Sequence, residues 1–300
     1  IAERRGVADS RIIVTNGAAE ANSLGLAAAL DGTSGSEVIV TDPVYPYYPG
    51  RTTMLGGEVT RVPIGDDGHI DVAATRAAAS ADTAAIIANT PNNPTGAVYS
   101  RESMAALADV ATDADALLVA DEVYDHFDFS GRFESALTLD RDNVVVTTSF
   151  SKSLGITGFR VGYAVFPEDM VDSALTRHTL VNVAVSRPAQ AAVLAALRET
   201  PPSYYESVRD TVRGRIDDFT AALDDIGAEY TEPEGAFYVL ARFEGFPGSV
   251  ENVQRLIDDA GVAAMPGAAF GEASEGWIRF TLCTDRVDEA ADRLAAYFNR

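Results

Sequence analysis

One position in this 300-residue chain carries a primary amine on its side chain. Lys152 is the only lysine, and the other 22 basic residues are arginines. Arginine could replace lysine as a charge or an ion-pair donor. It could not capture an aldehyde, because guanidinium stays protonated and is a poor nucleophile. A surface lysine kept by chance is the plain alternative. The flanks speak against it: the apolar run Val144–Thr148 leads into Ser149-Phe150-Ser151-Lys152, and Gly155, Gly158 and Arg160 follow. The second chemical signal is Asp121, at the end of the apolar run Ala116–Asp121. A carboxylate placed there is partly desolvated and wants a cationic partner.

Other polar groups follow apolar runs in the same way. Asn16-Gly17-Ala18-Ala19-Glu20 is a glycine turn opening a helix, with free N–H groups and a positive dipole end suited to phosphate, or simply a packing turn. Thr90-Pro91-Asn92-Asn93-Pro94-Thr95-Gly96 is a rigid polar turn offering the Asn93 amide, and Glu122-Val123-Tyr124 follows Asp121. Several familiar sites are excluded. Leu117–Glu122 looks like the acidic strand of a P-loop nucleotidase, but Lys152 lacks the glycines such a loop needs, and no G-x-G-x-x-G turn is present. His69, His126 and His178 are scattered with no pair at ligand spacing, so no metal site is expected; His126 reads as a solvated or capping residue.

These residues need a scaffold, and the pattern supplies one. Ile12–Thr15, Val38–Thr41, Ala84–Asn89, Ala116–Asp121 and Val144–Thr148 are short and mostly apolar, as parallel strands covered on both faces should be. Helical segments are predicted at Ala18–Leu30, Tyr45–Leu55, Val72–Ala79 and Arg101–Ala111. The alternation predicts a doubly wound α/β sheet, whose ligands bind beyond the carboxyl ends of the strands. After Pro167 the character changes. A long helical stretch runs to about Arg198, broken near Ser186-Arg187-Pro188, and Pro201-Pro202 marks a boundary. Beyond it, helix Tyr204–Asp225, strand Ala236–Arg242, helix Val250–Ala260, strand Trp277–Leu282 and helix Arg286–Phe298 predict a smaller C-terminal α+β domain. The expected division is a large domain over 1–180, an interdomain helix over 181–200 and a small domain over 201–300. Ile1–Arg5 reads as the tail of a helix stopped by Gly6, so the chain is expected to start partway into a larger fold.

Composition narrows the partners. Forty-five acidic against 23 basic residues give a net charge of −22 and a pI near 4.4. Nucleic acid and anionic membrane surfaces need a basic face, and neither is expected as a partner. No apolar run reaches the roughly 18 residues of a membrane span. The lone Cys283 cannot form an internal disulfide. Aspartate outnumbers glutamate 27 to 18. Acid-rich, lysine-poor composition predicts a halophilic protein of a salt-loaded cytoplasm, where a screening length near 3 Å at about 1 M salt mutes surface repulsion.

The motifs together resemble the class I/II aminotransferases, enzymes of fold type I that use pyridoxal 5′-phosphate. The most specific piece is Ser149-Phe150-Ser151-Lys152 with Gly158-Phe159-Arg160-Val161-Gly162, similar to that family's S-x-S-K…G-x-R-x-G block. Supporting pieces are Asp42-Pro43-Val44-Tyr45-Pro46, Asn93-Pro94-Thr95-Gly96, Asp121-Glu122-Val123-Tyr124 and Trp277-Ile278-Arg279-Phe280. The resemblance runs from about Arg11 to the C-terminus.

It implies a ping-pong transfer of an amino group between an L-amino acid and a 2-oxo acid, through aldimine and ketimine forms of the cofactor. Lys152 would bind the cofactor aldehyde and act as general base and acid. Asp121 would pair with the pyridine nitrogen, Tyr124 and Asn93 with the ring oxygen, and Tyr45 would stack on the ring. Ser149, Ser151, Arg160 and the backbone of Ala18 and Ala19 would hold the phosphate. Arg279, with Asn93, would hold the substrate carboxylate. For Tyr47 and Tyr48 a core aromatic is about as good a reading, and both are left out of the site. The resemblance also implies a homodimer. Family members carry several dozen residues before the position of Ile1, which supply a covering segment and a phosphate contact across the dimer. The motifs serve the cofactor more than the reaction. A histidinol-phosphate-type aminotransferase, a β-lyase, an amino-acid-phosphate decarboxylase and a non-catalytic cofactor-binding module therefore stay open. Gly235-Ala236-Phe237-Tyr238 and Pro266-Gly267…Phe270-Gly271 look more like the aspartate/aromatic branch.

Overall fold

The computed structural model describes residues 1–65 and 67–299; Asp66 and Arg300 lie outside the described residues. A seven-stranded sheet is built from β1 (Ile12–Thr15), β2 (Glu37–Asp42), β3 (Glu58–Pro63), β4 (Thr83–Asn89), β5 (Leu117–Asp121), β6 (Val144–Ser149) and β7 (Gly162–Val165). Its order is β1-β7-β6-β5-β4-β2-β3. β7 runs antiparallel to both neighbours, and the others share one direction.

Alternation along the strands sorts the apolar side chains to two faces. Val38, Val40, Ile87, Val119 and Val145 face one core, with α2 (Ala18–Gly32) and α7 (Val171–Asn182) over it. Ile39, Ile86, Leu118 and Val146 face the other, covered by α4 (Val72–Ala78) and α5 (Arg101–Asp113). That is the doubly wound arrangement expected from the sequence. Two helix starts show their local cause: Asp71 caps α4 by accepting from the Ala74 N–H, and Ser100 caps α5 by accepting from the Ser103 N–H. Ala2–Arg5 forms the short α1, stopped by Gly6 at φ 67°.

Three further helices are α3 (Tyr47–Met54), between β2 and β3, α6 (Phe150–Ser153), between β6 and β7, and α8 (Arg187–Glu199), on the path to the C-terminal part. The C-terminal part begins with the long α9 (Pro202–Asp225). Its antiparallel sheet has the order β10-β11-β9-β8, from β8 (Glu229–Tyr230), β9 (Tyr238–Arg242), β10 (Met265–Pro266) and β11 (Ile278–Thr281). α10 (Val250–Arg255) and α11 (Val287–Phe298) complete this smaller α+β unit. Val123, Tyr124 and Phe127, from the loop after β5, are buried in the same core as Phe219, Phe237 and Phe280. The two units are thus joined by side chains that begin one turn from Asp121.

Three expectations need correction. β1 is not covered on both faces: it is a sheet edge with alternating burial. β3 and β7 escape the pattern, one because it is an edge strand with half its residues exposed and the other because it starts at a glycine inside the block Gly158–Gly162, which reads as a turn. The helix expected over Val250–Ala260 is α-helical only to Arg255 and continues with the wider π spacing over Leu256–Ala260.

Candidate functional site

The carboxyl ends of β4, β5 and β6 lie side by side, and register sets what they present. Asn89 pairs with Asp121, and Asp121 with Thr147. All three belong to the alternation that faces α2. An apolar helix crossing this edge would deprive Asp121 of a partner, at a cost because its exposure is only 3%. Instead α2 places Asn22 there. The Asn22 Nδ2 donates to Asp121 Oδ2 at 2.6 Å, and its Oδ1 accepts from the Thr147 hydroxyl at 2.5 Å. The Tyr48 hydroxyl donates to the same Oδ2 at 2.7 Å, and the Val123 N–H to Oδ1 at 3.0 Å. Burial raises the Asp121 pKa, while its donors, all neutral, pull it back. A carboxylate so held gains from a cation brought against it.

Lys152 lies in α6, the single turn that follows β6, capped by the Ser149 hydroxyl accepting from the Ser151 N–H. Its Nζ sits 5.6 Å from the Phe237 ring centre and 6.0 Å from that of Tyr124. Burial lowers its pKa, and Arg279 and Arg160 lower it further, against the pull of Cys283 and Asp121. A lysine shifted in that direction has a larger neutral, nucleophilic fraction.

The turn between β1 and α2 forms a cup for an anion. Gly17 has φ 78° and caps α2 without any side chain, so the first N–H groups of the helix, those of Ala18 and Ala19, face outward. Arg160, itself at φ 55°, donates to the carbonyls of Asn16 and Thr157. A Cβ on Gly17 would stand 2.7 Å from the Arg160 Nη2. Gly162 is held as closely from behind: a Cβ there would meet the Gly17 carbonyl carbon and the Thr148 oxygen at 2.6 Å. The hydroxyls of Ser149 and Ser151 line the same space. Glu20 stiffens the turn by accepting from the Asn16 backbone and side chain at 2.6 and 2.8 Å.

Across the cavity, Arg279 on β11 donates from Nη1 to the Asn93 Oδ1 at 2.9 Å, while its buried Nε has no partner among the described residues. That bond occupies the Asn93 carbonyl and leaves the amide NH2 as the free donor. The cavity measures about 340 Å³, and its walls include every side chain expected at the site: Tyr45, Asn93, Asp121, Tyr124, Ser149, Ser151, Lys152, Arg160 and Arg279, with Ala18 and Ala19. Tyr45 is 42% exposed at its mouth. An anion cup, a carboxylate with only neutral partners and an amine lining one cavity fit a phosphorylated pyridine aldehyde such as pyridoxal 5′-phosphate. The unpartnered Arg279 Nε suits a carboxylate ligand.

Sequence reasoning missed Asn22, Tyr48 and Tyr238, which also line this cavity. Asn22 had a readable signal, a carboxamide beside the long apolar run of its helix. Tyr48 had none, because nothing local distinguishes it from Tyr47, whose hydroxyl donates to the Ala19 carbonyl.

A family model described as aminotransferase class I and II matches residues 1–294. The probable aspartate/prephenate aminotransferase of Thermus aquaticus is 35% identical over 296 residues, covering 96% of this chain and 76% of that protein. The aspartate aminotransferase of Thermotoga maritima is 32% identical over 302 residues, covering 99% and 78%. Among solved structures, the aspartate aminotransferase of Thermus thermophilus with maleate superposes with a TM-score of 0.91 at 32% identity, over 98% of this chain and 78% of that one.

Proposed function

This chain belongs to the class I and II aminotransferases, and from that premise we propose that Lys152 is the residue on which its pyridoxal 5′-phosphate is carried. The enzyme moves an amino group between an L-amino acid and a 2-oxo acid. The cofactor supplies an electron sink for the carbanion formed at the α-carbon. Everything else falls to the protein. Asp121 keeps a proton on the ring nitrogen. Tyr124 and Asn93 donate to the ring oxygen, and Tyr45 covers the ring. The α2 N-terminus, Ser149, Ser151 and Arg160 hold the phosphate. Arg279 grips the substrate carboxylate, and the Lys152 amine takes the α-proton and returns it. The observation that carries this reading is the single cavity joining the chain's only lysine to the buried Asp121.

The domain limits 1–180, 181–200 and 201–300, a homodimer and a halophilic, cytoplasmic setting belong to the same proposal. The resemblance supports the dimer, and the net charge of −22 supports the setting. No helix among the described residues is long and apolar enough to cross a membrane. Relatives named as aspartate, aspartate/prephenate and aromatic-amino-acid aminotransferases support substrates of those kinds, and we assign this enzyme to that branch. The test is a half-reaction: protein loaded with pyridoxal 5′-phosphate in high salt is mixed with single amino acids. Bleaching of the visible band with one equivalent of the matching 2-oxo acid is expected. Ammonia or carbon dioxide in its place would assign a lyase or a decarboxylase.

A further inference from the structure

Tyr238, on β9, stands between two groups with assigned roles and has none of its own. It is buried, and its hydroxyl lies 2.8 Å from that of Tyr124, with the two rings edge to face at 5.6 Å. The face of the same ring lies 4.5 Å from the Arg279 guanidinium carbon, and the Phe270 ring lies 4.7 Å from that carbon. We propose that Tyr238 is a positioning residue that ties the donor to the cofactor ring oxygen, Tyr124, to the carboxylate grip of Arg279. The inference rests on the cofactor reading above.

Proton counting orients the contact. A tyrosine hydroxyl has one proton. When the Tyr124 proton is given to the cofactor ring oxygen, the Tyr124 oxygen can only accept from Tyr238. The bond then runs from Tyr238 to Tyr124 and makes Tyr124 the stronger donor. The ring does separate work. Among the described residues, Arg279 has one side-chain hydrogen bond, to Asn93, and its Nε is unpartnered. Its orientation therefore depends on the flanking Tyr238 and Phe270 rings, whose faces attract a cation. Tyr124 belongs to the loop after β5, and Tyr238 and Arg279 to the second sheet. The contact thus links cofactor and substrate groups across the two units.

The hydroxyl and the ring can be removed separately. In protein loaded with pyridoxal 5′-phosphate, the pH titration of the visible band reports the proton on the Lys152 nitrogen. A strong donor at the ring oxygen draws charge away from that proton, so its loss raises the apparent pKa. Tyr238→Phe is expected to raise it by about 0.7 unit, the equivalent of one neutral hydrogen bond. The affinity for the unreactive carboxylate 3-phenylpropionate should be unchanged. Tyr238→Leu should show the same pKa shift and bind 3-phenylpropionate roughly fivefold more weakly. In a Tyr124→Phe background, Tyr238→Phe should move the pKa no further. An unshifted pKa in Tyr238→Phe, or a shift that persists without the Tyr124 hydroxyl, would overturn the proposal. So would normal 3-phenylpropionate binding by Tyr238→Leu. A wild-type chain with no visible band would instead overturn the cofactor reading beneath it.

Discussion

At the scale of single residues, the site depends on carboxyl groups kept out of water. Asp121 is fully enclosed, and its partners Asn22, Tyr48 and the Val123 N–H compensate only part of the burial cost. A ring nitrogen facing it gains about 1–3 pKa units, or roughly 10- to 1,000-fold in holding its proton. Asp121→Asn keeps the shape and removes that charge. It is expected to slow the half-reaction by about 100-fold while leaving the melting temperature equal or higher; an unimpaired half-reaction would remove Asp121 from its role. Glu122, next in sequence, behaves differently. It points away from the cavity, accepting from the Ser135 hydroxyl and the Ala136 N–H, with Arg5 3.8 Å away. Burial pushes its pKa up to about 7 in spite of Arg5. A carboxyl whose folded pKa is raised favours the native state most below its unfolded value of 4.5. That contribution is lost as pH rises through about 7, up to about 3 kcal/mol in all. Glu122→Gln should flatten the stability profile between about pH 4.5 and 7, as measured by urea unfolding. A profile parallel to wild type would show that Glu122 does not titrate in that window. Lys152 and Asp121 were legible in the sequence because their types are out of place, a lone amine and an acid closing an apolar run. Tyr48 and Tyr238 were not, because their roles arise from contacts 73 and 114 residues away in the chain.

At the scale of elements, close backbone approach builds the anion cup. β7 returns against β6 so tightly that Gly162 leaves no room for a Cβ between Gly17 and Thr148. Gly162→Ala is expected to cost about 2 kcal/mol, the usual scale of overpacking, and to release the cofactor more readily by shifting the α2 N-terminus. Gly17→Ala adds a positive-φ strain and a collision with Arg160. Cofactor dissociation followed by fluorescence, beside thermal melting, measures both effects. Tight binding with normal stability in either variant would mean that the turn does not shape the phosphate site. The glycines could be read from the sequence as a turn and as part of the family's block. The strand carrying Gly162 could not, because it begins inside the glycine-rich block Gly158–Gly162, which reads as a turn.

At the scale of the whole molecule, charge dominates. Pairs such as Arg76–Asp113 at 2.7 Å and Arg141–Asp109 at 2.8 Å are half in solvent and contribute little each. They cannot offset a net charge of −22. The balance is self-repulsion at low salt. Raising potassium chloride from about 0.1 M to about 1 M shortens the screening length from about 10 to 3 Å. This should raise the melting temperature by roughly 3 °C, the effect of about 2 kcal/mol in a chain of this size. A flat or falling melting temperature would count against the halophilic setting. The doubly wound sheet was legible because buried strands read as apolar runs. The join between the two units was not, since Val123, Tyr124 and Phe127 serve both cores through contacts that no local pattern encodes.

A chain with one lysine makes the decisive measurement a simple one. The protein is incubated with pyridoxal 5′-phosphate, reduced with borohydride, digested and mapped by mass spectrometry. One phosphopyridoxyl group on the peptide containing Lys152 is expected, absent from Lys152→Arg and much reduced in Asp121→Ala. Label confined to a chain terminus, or a Lys152 peptide that stays unmodified while the protein remains folded, would contradict the assignment of this cavity as the cofactor site.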